Sequence, residues 1–176
     1  GTIGLIMDCD TTGIEPDFAL VKHKTLAGGG YFRIINRSVP RALDVLGYND
    51  EECDEIVRYA TGHGTLVGAP AINHDSLAEI GFSKSVLDSL EQALGTAFEL
   101  RFAFNKWTLG EEFCLKVLNL TEAQINNPIF DFLPAIGFSD ADIAAANLYC
   151  CGAMTLEGAP YLKEEHLPVF DCASPC

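Results

Sequence analysis

The sequence predicts an α+β fold that is predominantly helical. Two observations carry this. Before Ser38, short β-branched and aromatic runs are separated by glycines. From Ser38 onward, apolar residues recur at helical spacing behind Ser, Thr and Asn caps. A third feature, a Gly-Ala-Pro turn behind two of the capped segments, points to an internal duplication.

In chain order, Thr2–Met7 reads as a buried strand, and "DCDTTGIEP" follows as a polar turn punctuated by Gly13 and Pro16. The runs "FALVKHKTL" and "YFRIIN" flank "AGGG". They fit two strands joined by a glycine turn, or a helix and then a strand; the composition of "YFRIIN" favours a strand. The glycines lack G-x-G-x-x-G spacing and read as a flexible loop. In "SVPRALDVLGY", Ser38 is the expected N-cap and Gly47 the stop. In "NDEECDEIVRYATG", Asn49 and Glu52 take capping-box positions, and Cys53, Ile56, Val57 and Ala60 share a face. "SKSVLDSLEQALG" sets Val86, Leu87, Leu90, Ala93 and Leu94 on one stripe. "TLGEEFCLKVLNL" and "TEAQINN" each open on a Thr-x-x-Glu/Gln cap, and Trp107 reads as a core anchor.

A repeat recurs at an offset of 90 residues. "LGYNDEECDEIVRYATGHGTLVGAPAI" (46–72) aligns without gaps on "IGFSDADIAAANLYCCGAMTLEGAPYL" (136–162), with 9 identities in 27 positions. Chance would give about two. Helices starting near Asp50 and Asp140 should end by Gly62 and Gly152, each followed by the same turn. A partial third copy, "IGFSKSVLDSLEQAL", begins at Ile80. The turn chemistry is either structural, with Gly supplying turn conformations and Pro a stop, or it forms paired loops around a binding cleft.

At 176 residues the chain has the size of one domain. A net charge of −14 argues against general affinity for nucleic acid or an anionic membrane. The sequence shows no apolar run of membrane-spanning length and no secretory signal, so the expected compartment is cytoplasmic. Seven unevenly placed cysteines are unlike a secreted disulfide framework, and the Asn-x-Ser/Thr sites at Asn36 and Asn119 read as chance.

Four features could carry chemistry. The opening "GTIG" offers backbone N–H groups of the kind that cradle phosphate. Glu15, between Gly13 and Pro16, is a placed carboxylate or a turn residue. The four histidines, His23, His63, His74 and His166, follow no metal-ligand spacing. Cys151, Cys172 and Cys176, with Cys150 or His166 as a fourth ligand, could hold zinc, act as redox-active or mixed-disulfide thiols, or be inert buried cysteines.

Taken together, "GTIGLIMDCDTTGIEPDF", "LAGGGYF", "NKWTLGEEF", "CGAMTLEGAP" and "VFDCASPC" mark a resemblance. The chain resembles the large catalytic subunit of adenosylcobalamin-dependent (class II) ribonucleotide reductases, in their long bacterial and phage branch. In that family a Pro-Thr-Gly-Ser/Thr-Ile loop precedes Gly-Ile-Glu-Pro-x-Phe. Gly1, Thr2 and Ile3 match the last three loop positions, and Gly13–Pro16 with Phe18 match the second motif.

The resemblance implies that the chain is a piece of a larger enzyme, a segment of a ten-stranded α/β barrel carrying a largely helical insertion. Residues 1–37 would be the barrel-derived strand and loop segment. Residues 38–176 would be the insertion, with repeats at 46–80 and 136–170. It implies radical replacement of the ribose 2′-hydroxyl by hydrogen for DNA synthesis, with adenosylcobalamin as cofactor. The partners implied are a ribonucleotide, bound through its phosphates at Gly1, Thr2 and Ile3, the rest of the reductase chain and a possible homo-oligomer. The family's Asn-Cys-Glu radical site is absent, so no catalytic residue transfers and the chain alone should be inactive. Two other classes stay open: a non-catalytic module binding a nucleotide effector or a subunit, and a structural insertion supporting the barrel.

Overall fold

The structure, a computed structural model, describes residues 19–25 and 31–172. The expected strand Thr2–Met7, Glu15 and the "AGGG" loop lie outside the described residues. The two runs beside that loop are strands β1 (Val21–Thr25) and β2 (Tyr31–Ile35), paired in a two-stranded sheet. The short connection between them cannot make a parallel crossover, so the pair is antiparallel. The Asn36 N–H donates to the Leu20 carbonyl at 2.8 Å and closes the open end of the hairpin.

The described chain forms two compact units, each with its own core. The first holds residues 19–25, Phe32–Gly62 and 153–172; the second holds His63–Gly152 with Tyr31. Each unit therefore combines sequence from both repeat copies.

In the first unit, helix α1 (Ser38–Val45) packs against α2 (Asp50–Thr61). Val39, Leu43, Ile56 and Ala60 are buried there with Val21, Tyr48, Leu156 and Phe170. Ser38 is not the cap of α1. The Asn36 carboxamide oxygen accepts from the Ser38 N–H at 2.8 Å and from its hydroxyl at 2.7 Å, so an Asx turn leads into a helix that starts one residue earlier than expected, with Arg37 at the N-cap position. Pro40 sits in the first turn, where a missing N–H is harmless. Helix α2 carries the expected capping box between Asn49 and Glu52, with both bonds at 2.9 Å.

The second unit comprises α3 (His74–Ile80), α4 (Lys84–Leu94), α5 (Leu100–Ala103), α6 (Lys106–Leu109), α7 (Glu111–Lys116), α8 (Glu122–Ile125), α9 (Phe132–Ala135) and α10 (Asp140–Cys151). Its core is built on Leu77, Leu90, Leu94, Leu100, Leu133 and Cys114. The expected stripe of α4 buries Leu87, Leu90 and Leu94 and leaves Val86 and Ala93 half-buried against the same core. Thr121 and Gln124 form the expected box at α8. Thr108 is no cap: it lies inside α6, and its N–H donates to the Asn105 side chain at 2.9 Å. Gly110, at φ +90°, ends that helix before Glu111 begins the next.

One turn is built three times. At Leu43–Asn49, Leu77–Ser83 and Leu133–Ser139, a glycine with positive φ follows the helix. The next, aromatic residue donates its N–H back to a fully buried leucine: Tyr48 to Leu43 (3.1 Å), Phe82 to Leu77 (3.0 Å) and Phe138 to Leu133 (3.2 Å). This is the Schellman arrangement, in which glycine takes the left-handed position and the aromatic covers the last turn. An extended Asn or Ser then opens α2, α4 and α10.

Helices α2 and α10 both end at a glycine with almost the same unusual backbone: Gly62 at φ 76°, ψ 167° and Gly152 at φ 75°, ψ 167°. That region is essentially closed to residues with a Cβ. Gly62→Ala and Gly152→Ala should each lower stability by about 1–3 kcal/mol in urea unfolding. Gly95, at φ −58° and with only ordinary contact for an added Cβ, is the control. There Ala should stabilise by about 0.4–1 kcal/mol.

Asp142, the third residue of α10, accepts from the Ser139 hydroxyl at 2.6 Å and the Ser139 N–H at 3.1 Å. These bonds hold its carboxyl below the usual aspartate range. Because the folded pKa is depressed, the box contributes stability above the unfolded pKa and loses it as pH falls through the folded value. Carboxyl NMR titration should find Asp142 among the lowest-titrating aspartates and find it moved upward in Ser139→Ala.

Candidate functional site

The Gly-Ala-Pro segments are the first place to look for a site. Their inner faces are occupied by the chain itself. In the second unit, the Tyr149 hydroxyl of α10 donates to the Val67 carbonyl at 2.9 Å. The His63 and Gly64 N–H groups donate to the carbonyls of Tyr149 and Cys150 at 2.8 and 2.9 Å. In the first unit, the Tyr59 hydroxyl of α2 donates to the Glu157 carbonyl at 3.0 Å, and Ala153 and Met154 bond Tyr59 and Ala60 at 2.8 and 3.0 Å. Every position in the second set is offset by 90 from its counterpart in the first.

The agreement extends through the turns. Ala69 N–H to Leu66 and Ala159 N–H to Leu156 are both 3.1 Å. Gly64 and Met154 share positive φ (68° and 62°), as do Ala71 and Tyr161 (58° and 64°). A Cβ on Gly68 or Gly158 would meet the clamping tyrosine oxygen at 3.1 Å. These loops hold each helix terminus to a turn from the other copy.

A concave site lies elsewhere, wholly within the second unit. A cleft of about 470 Å³ lies between α5–α6 and the segment from Ile125 to Phe132. Phe102, Phe104, Ile129, Phe130 and Phe132 form its apolar walls, and Trp107 stands on its rim. Asn105 builds one wall: its side-chain oxygen accepts from the Trp107 and Thr108 N–H groups at 2.9 Å, and its amide donates to Phe102 at 2.8 Å. Asn127 turns the opposite wall by accepting from the Ile129 N–H at 3.1 Å. The Arg101 guanidinium bonds Asp131 and reaches Asp140 at 3.4 Å, while Asp131 also caps α9 through the Leu133 N–H at 3.2 Å. The Lys106 ammonium bonds the neutral carboxamide oxygen of Asn126 and lies 5.2 Å from the Trp107 ring centre.

Trp107 corrects the sequence reading. It is 83% exposed instead of anchoring the core. Leu109, two residues on, is buried in its place. Residues two apart point to opposite sides of a helix, and this four-residue helix has only one buried side to give. The signal available in the sequence was the dense "RFAFNKW", where cations and aromatics mix with no helical stripe.

Gly1, Thr2, Ile3 and Cys176 lie outside the described residues. Cys151 closes α10 and is buried in the second unit; Cys172 belongs to the first. Cys150 is buried and donates to the Thr65 carbonyl at 3.1 Å. Burial pushes the Cys114 thiol up, and burial with nearby Asp44, Asp50, Glu52 and Asp54 does so for Cys53. A raised thiol is a poorer nucleophile and metal ligand. Among the described residues no three His, Cys, Asp or Glu side chains gather as a metal site. The described histidine side chains are held by hydrogen bonds: His63 to Tyr149, His74 to Glu91 and His166 to Tyr48. No helix among the described residues is long and apolar enough to cross a membrane.

Residues 1–82 match a sequence model of the ribonucleotide reductase barrel domain. All 176 residues align at 60% identity with a vitamin B12-dependent ribonucleotide reductase of Bradyrhizobium diazoefficiens. Over its whole length the chain is thus similar to one segment of a reductase of this name. A relative of the same name from Agrobacterium fabrum is 57% identical across the whole chain. The chain spans 14% of the length of each of these two relatives. A third, from Rhodopirellula baltica, is 53% identical over 78 residues, 44% of the chain and 8% of that relative.

The tyrosine clamps are open to a direct test. Tyr59→Phe and Tyr149→Phe each remove one hydrogen bond from a well-packed ring. Each should lower stability by about 0.5–1.5 kcal/mol in chemical denaturation. No loss in either variant would show that the turns are held by packing and backbone bonds alone.

Proposed function

We propose that this chain is a segment of the catalytic subunit of a vitamin B12-dependent ribonucleotide reductase. The intact enzyme converts ribonucleotides to deoxyribonucleotides for DNA synthesis by radical chemistry. The observation that carries this reading is 60% identity over the whole chain with a relative of that name. The segment lacks an Asn-Cys-Glu radical motif, and by itself it is inactive.

Within that enzyme, residues 1–37 contribute strand and loop to the ten-stranded barrel. Residues 38–176 form a helical insertion that arose by internal duplication, with repeats at 46–80 and 136–170. The hydrogen bonds and positive-φ positions repeated at an offset of 90 residues support the duplication. The substrate diphosphate or triphosphate is held at Gly1, Thr2 and Ile3, mainly by backbone N–H groups, with the Thr2 hydroxyl as an added donor.

In the intact enzyme, the cobalamin cofactor named for the relatives would supply the radical chemistry. The described residues do not fit a corrinoid: the cleft of about 470 Å³ is far too small for the ring. No step of the cofactor's chemistry is assigned to this chain.

Steady-state kinetics on the intact enzyme test the phosphate loop. Thr2→Ala should weaken substrate by about 1 kcal/mol, one hydrogen bond. Ile3→Pro should weaken it further, because it removes a backbone donor and fixes φ. An unchanged Michaelis constant in the proline variant would remove the loop from the site.

A further inference from the structure

We propose that the Trp107 cleft is a binding site for a small planar aromatic anion, its ring against the indole and its charge against Lys106. The site stands on its own geometry, independent of the phosphate loop and of the family reading.

Three observations select this ligand class. The first is size. About 470 Å³ falls in the range of pockets that enclose small molecules, roughly 300–1,000 Å³, and five of the fourteen lining residues are aromatic. The second is the indole. Trp107 is the chain's one tryptophan, and it stands 83% exposed at a cleft whose inner rings, Phe104 and Phe132, are buried. An exposed indole face beside a cavity is a platform for a flat π system; stacking of this kind needs no match of hydrogen bonds.

The third is charge. The chain carries −14 overall, yet this cleft holds two cations. Arg101 is matched by Asp131 and Asp140, and Asp131 is matched in turn by Arg101. Lys106 differs: the bond it makes is to an uncharged amide, and it sits half-buried beside the indole. An ammonium with a neutral partner in a partly desolvated site favours an incoming anion. A purely apolar occupant would leave that charge unanswered, and a cation would meet it directly. Planar aromatic anions include nucleotides and simple aryl sulfonates or carboxylates, which share this chemistry.

Because Trp107 is unique, its fluorescence reports the site without labelling. The 176-residue chain is titrated with adenosine 5′-monophosphate, naphthalene-2-sulfonate, adenosine and inorganic phosphate. Saturable quenching is expected from one or both aromatic anions. If only the sulfonate saturates, the ligand is a non-nucleotide member of the class; if the monophosphate saturates, it is a nucleotide. Adenosine should bind about tenfold more weakly than the monophosphate, and phosphate alone should leave the emission unchanged.

Lys106→Gln should weaken the aromatic anions about tenfold and leave adenosine unaffected, the signature of one charge-assisted contact. Three results would overturn the proposal. One is quenching that rises linearly, as with free N-acetyl-tryptophanamide. Another is saturation by phosphate alone. The third is a Lys106→Gln variant with undiminished affinity for every aromatic anion. The substituted side chain lies outside the core and caps no helix, so loss of binding would not reflect loss of fold.

Discussion

The structure depends on how helices α2 and α10 end. Each stops at a glycine whose φ and ψ near 76° and 167° send the chain out of the helix along a path closed to other residues. Each then offers a tyrosine, three residues before that glycine, to a turn from the other repeat copy. The backbone conformation outweighs the hydrogen bond. A forced Cβ in that region costs about 1–3 kcal/mol, whereas a single neutral bond contributes about 0.5–1.5 kcal/mol. The tyrosines select which turn is held; the glycines make the geometry possible.

The same scaffold carries different polar tethers in the two copies. Tyr48 packs over the end of α1, and its hydroxyl lies 2.7 Å from His166 Nδ1 while accepting the Lys163 N–H at 3.0 Å. The residue 90 positions later is Phe138, which keeps the packing and has no hydroxyl to give. In its unit the turn is secured instead by Glu91, which accepts from the Leu66 N–H at 3.0 Å and lies 2.6 Å from His74. The tyrosine clamps and the apolar and backbone terms are held in common, while these further polar tethers are particular to each copy.

The cleft arises from short helices. Four residues cannot bury two sides, so α6 gives its inner side to Leu109 and its outer side to Trp107. Asn105 at its start and Gly110 at its end fix that choice, one by satisfying the first N–H groups and the other by turning the chain. Asp131 couples the facing wall to the rest by capping α9 and pairing with Arg101. The aromatic walls are thus held by side-chain to backbone bonds, which keep the cavity from collapsing onto its own apolar surface.

The sequence alone determined the elements whose signals are local. The capping boxes at Asn49 and Thr121, the stripe of α4 and the stops at Gly62 and Gly152 follow from bonds and torsions within a few residues, which any chain with those residues tends to make. It also carried the family resemblance, because that rests on contiguous strings of residues. It misplaced Ser38 and Thr108, where an upstream asparagine accepts that residue's own N–H and the helix begins before the expected cap. Only the tertiary structure decided that each repeat's helix is closed by the other's turn, and that Trp107 faces outward. The first depends on contacts between residues far apart in the chain, Tyr149 with Val67 and Tyr59 with Glu157, and the second on the core of the second unit taking the Leu109 side of α6. Their energies do not exist until the segments have met, so no local pattern encodes them.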